Sequence, residues 1–312
     1  MKPSLYMRGV LGTCWYNFTE TIAYVVIHRK TPDNLAYTPK VKYGKEKQQF
    51  MNLCTRKDLN DEKKPLFIYI HGGGFISGIT KMRDTYVANW ADKGFFTASL
   101  AYTYAPKKVF PGQLQELLSG IDFIYDHKDE WNIDTSRIVI SGESAGGYYI
   151  MFMTAIANDK TLIEKLGLTF KHADEFHIDA MVTNCGCYNL KALLDDEKEQ
   201  SKFPDIKMMT TSFLGMPIDE AKAFLETEEG SLSIPKVFKG YPPTYVIYCC
   251  RDWLRYEAFD LMKTFDELEV PYKSFEGTGL IGNHAWPIAT FVKKARFCFE
   301  DAFEFVSKYV DV

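Results

Sequence analysis

Ser144 lies in Gly142-Glu143-Ser144-Ala145-Gly146, a G-x-S-x-G pentapeptide in which a hydroxyl can become a nucleophile. The apolar run Arg137–Ser141 before it reads as a buried strand, and Tyr148–Ala157 after it reads as an apolar helix. A strand that turns sharply into a helix holds the intervening serine on a strained backbone. The residues two positions either side must then be small enough to let the chain pass. The helix aims its N-terminal N–H groups and its dipole at the serine, where they favour developing negative charge. A plain Gly/Ser turn is the competing reading, and the flanking strand and helix argue against it.

A serine hydroxyl needs a base, usually histidine, that a third group orients. Behind this kind of elbow the chain order is serine, acid, histidine. Among six histidines, His284 comes just after the last strand, at the carboxyl end of the sheet where ligands bind. His172 and His177 precede a mid-sheet strand instead. The acid belongs at the end of the strand Tyr245–Cys250, which selects Asp252. Glu257 is second choice, since a position inside the following helix points it less well, and an N-cap is the ordinary alternative role for Asp252. Oxyanion donors must be backbone N–H groups that approach the reacting carbonyl closely. Ala145 supplies one, and His71-Gly72-Gly73-Gly74, directly after the apolar strand Leu66–Ile70, supplies Gly73 and Gly74.

These residues require a scaffold of alternating strands and helices. Residues 1–36 carry apolar positions with irregular, partly helical spacing and read as one or two helices covering something else. Val41–Gly44 and Gln48–Thr55 read as an antiparallel hairpin. Then follow a helix over Thr85–Lys93, a strand over Phe95–Leu100 and a helix over Gln113–His127. Beyond the elbow come strands at Ile178–Asn184, Tyr245–Cys250 and Tyr272–Phe275, and a last helix over Ile288–Tyr309. Near-continuous apolar strands alternating with helices indicate an α/β fold whose mostly parallel central sheet is covered on both faces. Between Leu190 and Gly240 the alternation stops, and the charged helical segments there read as a lid.

With 312 residues, 46% hydrophobic and 25% charged, the composition is that of an ordinary globular chain. A net charge of −4, with no basic patch, gives no reason to expect a nucleic-acid partner. No signal-peptide pattern opens the chain, Ile22–Ile27 is far too short to span a bilayer, and no amphipathic anchor with a basic face is read. Stable membrane insertion is therefore not expected. Seven cysteines, an odd number, suggest reduced thiols and a cytoplasmic location. Cys185-Gly-Cys187 and Cys249-Cys250 complete no tetrahedral Cys/His set and read as buried structural thiols. Asn17-Phe-Thr19 is a formal glycosylation sequon with little weight in such a chain.

Taken together, these motifs resemble the hormone-sensitive-lipase-like branch of the α/β-hydrolase fold, from about Pro65 to the end. The run Ala101-Tyr-Thr-Tyr-Ala-Pro106 with Phe110-Pro111 is similar to the family's Y-R-L-A-P-E … F-P segment, and Asp252-Trp-Leu-Arg-Tyr-Glu257 to its D-P-L-R-D-E. Thr103, Lys107 and Trp253 depart from it, and Glu143 replaces the commoner aspartate. The resemblance implies Ser144 as nucleophile, Asp252 and His284 as its partners, and Gly73, Gly74 and Ala145 as oxyanion donors. It also implies a serine carboxylesterase acting on small short-to-medium acyl esters through an acyl-enzyme, with no metal or organic cofactor. Amidase, deacetylase and lactonase chemistry on the same site are alternatives, as is a ligand-binding protein on a hydrolase scaffold. The expected organisation is an N-terminal helical segment (1–40) contributing to the cap, a core of 41–189 and 241–312, and a cap insertion of 190–240. A homodimer is allowed without being required.

Overall fold

The sheet grows outward from Lys64–Ile70, seven successive residues that are all buried, as a strand covered on both faces demands. In the computed structural model, which describes residues 2–59 and 61–312, the strands in chain order are β1 (Leu35–Lys42), β2 (Phe50–Arg56), β3 (Lys64–Ile70), β4 (Phe96–Leu100), β5 (Ile133–Glu143), β6 (Ala180–Asn184), β7 (Thr244–Cys249) and β8 (Tyr272–Gly277). They form one sheet in the order β1-β2-β4-β3-β5-β6-β7-β8. The hairpin β1–β2 and the β2–β4 pair are antiparallel, and the other five pairs are parallel.

The helices are α1 (Pro3–Ile27), α2 (Thr80–Asp92), α3 (Gly112–Asp126), α4 (Ala145–Asn158), α5 (Thr161–Lys165), α6 (Leu190–Leu194), α7 (Ile206–Leu214), α8 (Ile218–Leu225), α9 (Glu228–Ser231), α10 (Arg255–Leu268) and α11 (Lys293–Val306). Alternate strand residues separate into two cores. Leu66, Ile68, Ile138 and Ile140 pack with side chains of α3, α4 and α10, while Phe67, Tyr69, Val139 and Val182 pack with α2 and α11. On the second face Trp90 stacks on Phe67 with ring centroids 4.4 Å apart, and Phe299 meets Trp90 edge-on at 5.3 Å.

Several sequence-based boundaries move. The first strand starts at Leu35, not Val41, so residues 35–40 belong to the sheet rather than to the N-terminal helical segment. Its exposed, polar middle hides it, because an edge strand has only part of its surface against the core, and Lys40 breaks the alternation with φ 55°. Residues 3–27 form a single helix, the first of the two readings allowed for that segment. The last helix begins at Lys293 because Ala285 to Val292 is taken up by a tight turn that carries the chain back from His284. Between β6 and β7 the described residues contain helices and no strand, as the broken alternation indicates.

Candidate active site

Ser144 is held at φ 54°, ψ −121° between β5 and α4, a conformation that β-carbon-bearing residues rarely adopt. Backbone bonds fix it there. Its N–H donates to the Asn184 carbonyl at 3.0 Å, and its carbonyl accepts from Gly147 at 2.9 Å and Cys187 at 3.2 Å. The two glycines of the pentapeptide are sterically required. A Cβ on Gly146 would lie 2.0 Å from the Ile70 carbonyl oxygen, and one on Gly142 would lie 2.6 Å from that of Gly146.

The glycine loop after β3 closes over the elbow. Gly73 and Gly74 have φ of 119° and 58°. A Cβ on Gly73 would strike the Ser77 carbonyl at 2.2 Å. Glu143 ties this loop down, since one carboxylate oxygen accepts from the Gly72 N–H at 2.8 Å and from Arg83 Nε at 2.6 Å, while Tyr69 donates to the other. Arg83 also donates to Glu20 of α1, with Nη1 at 2.9 Å from Oε2. Its guanidinium is thus buried between two carboxylates that hold it charged despite desolvation. His71 stacks on Tyr102 at 4.6 Å, and its Nδ1 lies 2.7 Å from the Gly72 carbonyl. Burial and the nearby Arg83 push its pKa down, so it remains neutral and acts as packing under the loop.

His284 meets Asp252 across the top of β7 and β8. Its Nδ1 lies 2.6 Å from Asp252 Oδ2, and Asp252 Oδ1 accepts the Leu254 N–H at 3.0 Å. The Asp252 side chain is wholly buried while the imidazole is 24% exposed. Burial opposes the charged imidazolium, yet the Asp252 carboxylate outweighs it and raises the His284 pKa to about 10. Burial likewise opposes ionisation of Asp252, and the facing imidazole and the Leu254 N–H hold its carboxyl below the usual range. The Phe203 ring meets the imidazole edge-on at 4.8 Å. Asp252 does accept an N–H two residues ahead, as the N-cap alternative foresees, but its other oxygen is spent on the histidine.

Ser144, His284, Gly73 and Gly74 line one cavity of about 220 Å³. Its remaining wall is mostly apolar, with Ile206 and Met209 from α7, Ala23 and Ile27 from α1, and Trp286 and Ile288 after the histidine. Asp252 stands behind the imidazole and outside the lining. Glu257, the second-choice acid, is elsewhere. It is buried, accepts the N–H groups of Tyr188 at 2.6 Å and Asn189 at 2.7 Å, and takes the Gln200 amide at 2.9 Å.

The BD-FAE family model matches residues 52–254, about two thirds of the chain. This chain belongs to the BD-FAE family. The match includes the glycine loop, the elbow and Asp252, and ends before His284. Esterase LipC of Mycobacterium tuberculosis is 24% identical over 214 residues, 68% of this chain and 50% of LipC. Hormone-sensitive lipase of Mus musculus is 35% identical over 98 residues, 31% of this chain and 13% of the lipase. The matched segments thus span half or less of these relatives. Among solved structures, esterase B from Lactobacillus rhamnosis superposes with a TM-score of 0.79 at 18% identity, covering 98% of this chain and 97% of that one. A bacterial heroin esterase superposes at 0.74 and 18% identity, covering 95% and 90%. The BD-FAE chain therefore has the α/β-hydrolase fold.

Sequence reasoning missed two contributors to this family member's site. Cys185, read as a structural thiol, is buried with its Sγ 3.3 Å from Cys249 Sγ. It also joins Asp252 and His284 in a group whose ligand atoms lie within 4.8 Å of one another. Burial first, and Cys249 second, push the Cys185 thiol pKa far up, so it sits there neutral. The Glu20–Arg83–Glu143 clasp was also invisible, because no local pattern links residues sixty positions apart. The sole available signal was a glutamate preceding the serine, which had to find a buried partner.

Proposed function

We propose that this chain is a serine carboxylesterase that hydrolyses small, short-to-medium acyl esters. Ser144 Oγ attacks the ester carbonyl, and His284 Nε2 takes its proton and returns it to the leaving alcohol. Asp252 holds the imidazole through Nδ1 and balances the imidazolium charge that forms. The N–H groups of Gly73, Gly74 and Ala145 receive the oxyanion. Water then attacks the acyl-enzyme with His284 again as base, releasing the acid and restoring Ser144. The observation that carries this reading is the 2.6 Å His284–Asp252 bond at the edge of a cavity that Ser144 shares. The apolar wall supports an acyl or alcohol group of modest size, with residues 190–240 and α1 acting as the cap that selects it. The esterase names of its relatives agree with this chemistry.

Hydrolysis of p-nitrophenyl esters from acetate to decanoate, by wild type and Ser144→Ala, tests the proposal. Turnover should peak at short acyl length and vanish in the variant, together with covalent labelling by an organophosphate. Labelling that persists in Ser144→Ala would refute the nucleophile. A folded wild type that neither turns over nor labels would be a binding protein on a hydrolase scaffold.

A further inference from the structure

Helix α1 has two apolar sides, and only one is used. Its inner side packs closely, with Gly9 against Pro106 and Gly12 against Met208, and its Ala23 and Ile27 wall the cavity. On the outer side Met7, Leu11, Trp15, Phe18, Ile22 and Val25 are between 54% and 75% exposed. Steps of three and four residues put these six on one stripe, about 27 Å long at 1.5 Å per residue. Having apolar residues on both sides is why the spacing looks irregular in sequence and why no amphipathic anchor is read there; burial separates the two sets. Scattered exposed apolar residues are ordinary on a protein surface, but a continuous stripe of this length is not.

We propose that this outer face of α1 docks on an anionic lipid surface, with the stripe lying in the boundary between headgroups and acyl chains. Charge selects this occupant. The helix has one carboxylate, Glu20, which is 13% exposed and turned inward to Arg83. Exposed Arg8 follows Met7 in the helix, seven residues before Trp15, and exposed Arg29 lies just beyond the C-cap His28, its Nη1 donating to the Val26 and His28 carbonyls at 2.8 Å, so a guanidinium stands near each end of the stripe. Among the described residues neither has a carboxylate partner, whereas Lys2 and Lys30 are paired with Glu220 and Asp33. A second copy of the chain would fit this face poorly. Antiparallel pairing sets Arg8 against Arg29, parallel pairing sets each arginine against its own copy, and neither offers an opposite charge. Anionic headgroups supply it, and apolar side chains between cationic ends are the composition of a helix that lies in a membrane interface. Arg29 also sits 4.1 Å above the half-exposed Phe291 ring, which carries the apolar surface round to the segment after His284. No helix among the described residues is long and apolar enough to cross a membrane, so the contact proposed is peripheral.

The test is flotation of the full chain with vesicles of phosphatidylcholine alone or with one third phosphatidylglycerol, at low and high salt. The wild type should partition about 10-fold better onto the anionic vesicles at low salt. Leu11→Gln/Trp15→Gln/Phe18→Gln should lose at least about 10-fold of that binding. Arg8→Gln/Arg29→Gln, a milder change, should lose the preference for anionic lipid. Neither variant alters a residue that lines the cavity, so hydrolysis of a soluble short-chain ester should match the wild type. No flotation of the wild type, or equal flotation of the triple variant, overturns the proposal. So does a wild-type dimer in sedimentation velocity that the triple variant dissolves, which would assign the face to a second copy. Flotation remains readable if no ester is hydrolysed, so failure of the esterase reading and failure of this one are separate results.

Discussion

The imidazole of His284 and the carboxylate of Asp252 are two halves of one titrating unit, and their coupling has a kinetic consequence. In the proposed mechanism only the neutral imidazole takes the Ser144 proton, so activity should rise with pH as His284 loses its own. Asp252 raises that pKa, which sets the acidic limb of kcat/KM above the ordinary histidine value of about 6.5. Asp252→Asn removes the charge that does the raising and leaves the burial, which works the other way. The limb should therefore move to lower pH, while kcat falls by roughly 10⁴ because the imidazole loses the group that fixes its tautomer. A pH–rate profile of the two proteins measures both effects. A limb that stays where it was would mean that Asp252 is not what His284 titrates against.

Between elements, the joint that matters most is Arg83 of α2, which clasps Glu143 at the end of β5 and Glu20 in the middle of α1. Replacing the arginine leaves the buried Glu143 and the mostly buried Glu20 without a cationic partner, a loss of up to about 3–5 kcal/mol for a broken buried pair. Arg83→Met should thus lower the melting temperature far more than Glu20→Gln, which keeps an acceptor for the Ile79 N–H that Glu20 now binds at 2.7 Å. Comparable melts for the two variants would mean that the clasp is not under electrostatic load. The same joint marks the limit of what the chain alone reveals. The strand–turn–helix around Ser144 could be read directly, since a five-residue apolar strand, spaced glycines and an apolar helix are adjacent in sequence. Asp252 could be read because it follows a strand whose apolar run is visible, and His284 because it comes after the last strand, third in the expected order. Glu20, Arg83 and Cys185 could not, because their roles arise from contacts between elements that only packing brings together. The edge strand Leu35–Lys42 was obscured for the opposite reason, having too little buried surface to print a pattern.

Across the whole molecule, Glu257 couples stability to pH. Its carboxyl joins α10 to the turn at Tyr188 and Asn189 and to Gln200 in the segment between β6 and β7, so its protonation state bears on how two parts of the chain are held together. Burial raises its pKa from 4.5 to about 7, against the three donors that favour the carboxylate. Between about pH 4.5 and 7 the folded chain keeps a proton that the unfolded chain has released, so stability from this group declines as pH rises through that window. Above pH 7 both states are ionised and the slope from Glu257 ends, leaving a cumulative cost of about 3 kcal/mol. Glu257→Gln retains an oxygen for the two backbone N–H groups and removes the titration. The variant should gain on the wild type as pH rises from 5 to 7 and then hold a constant difference, and it should show no such gain below pH 4.5. The raised histidines, His172, His177 and His284, also weaken the fold as pH rises through their own folded pKa values. They are common to both proteins and cancel in the difference. Urea unfolding of both proteins at pH 5, 6, 7 and 8 measures that difference, and parallel curves over the whole range would show that Glu257 is already ionised in the fold at pH 5.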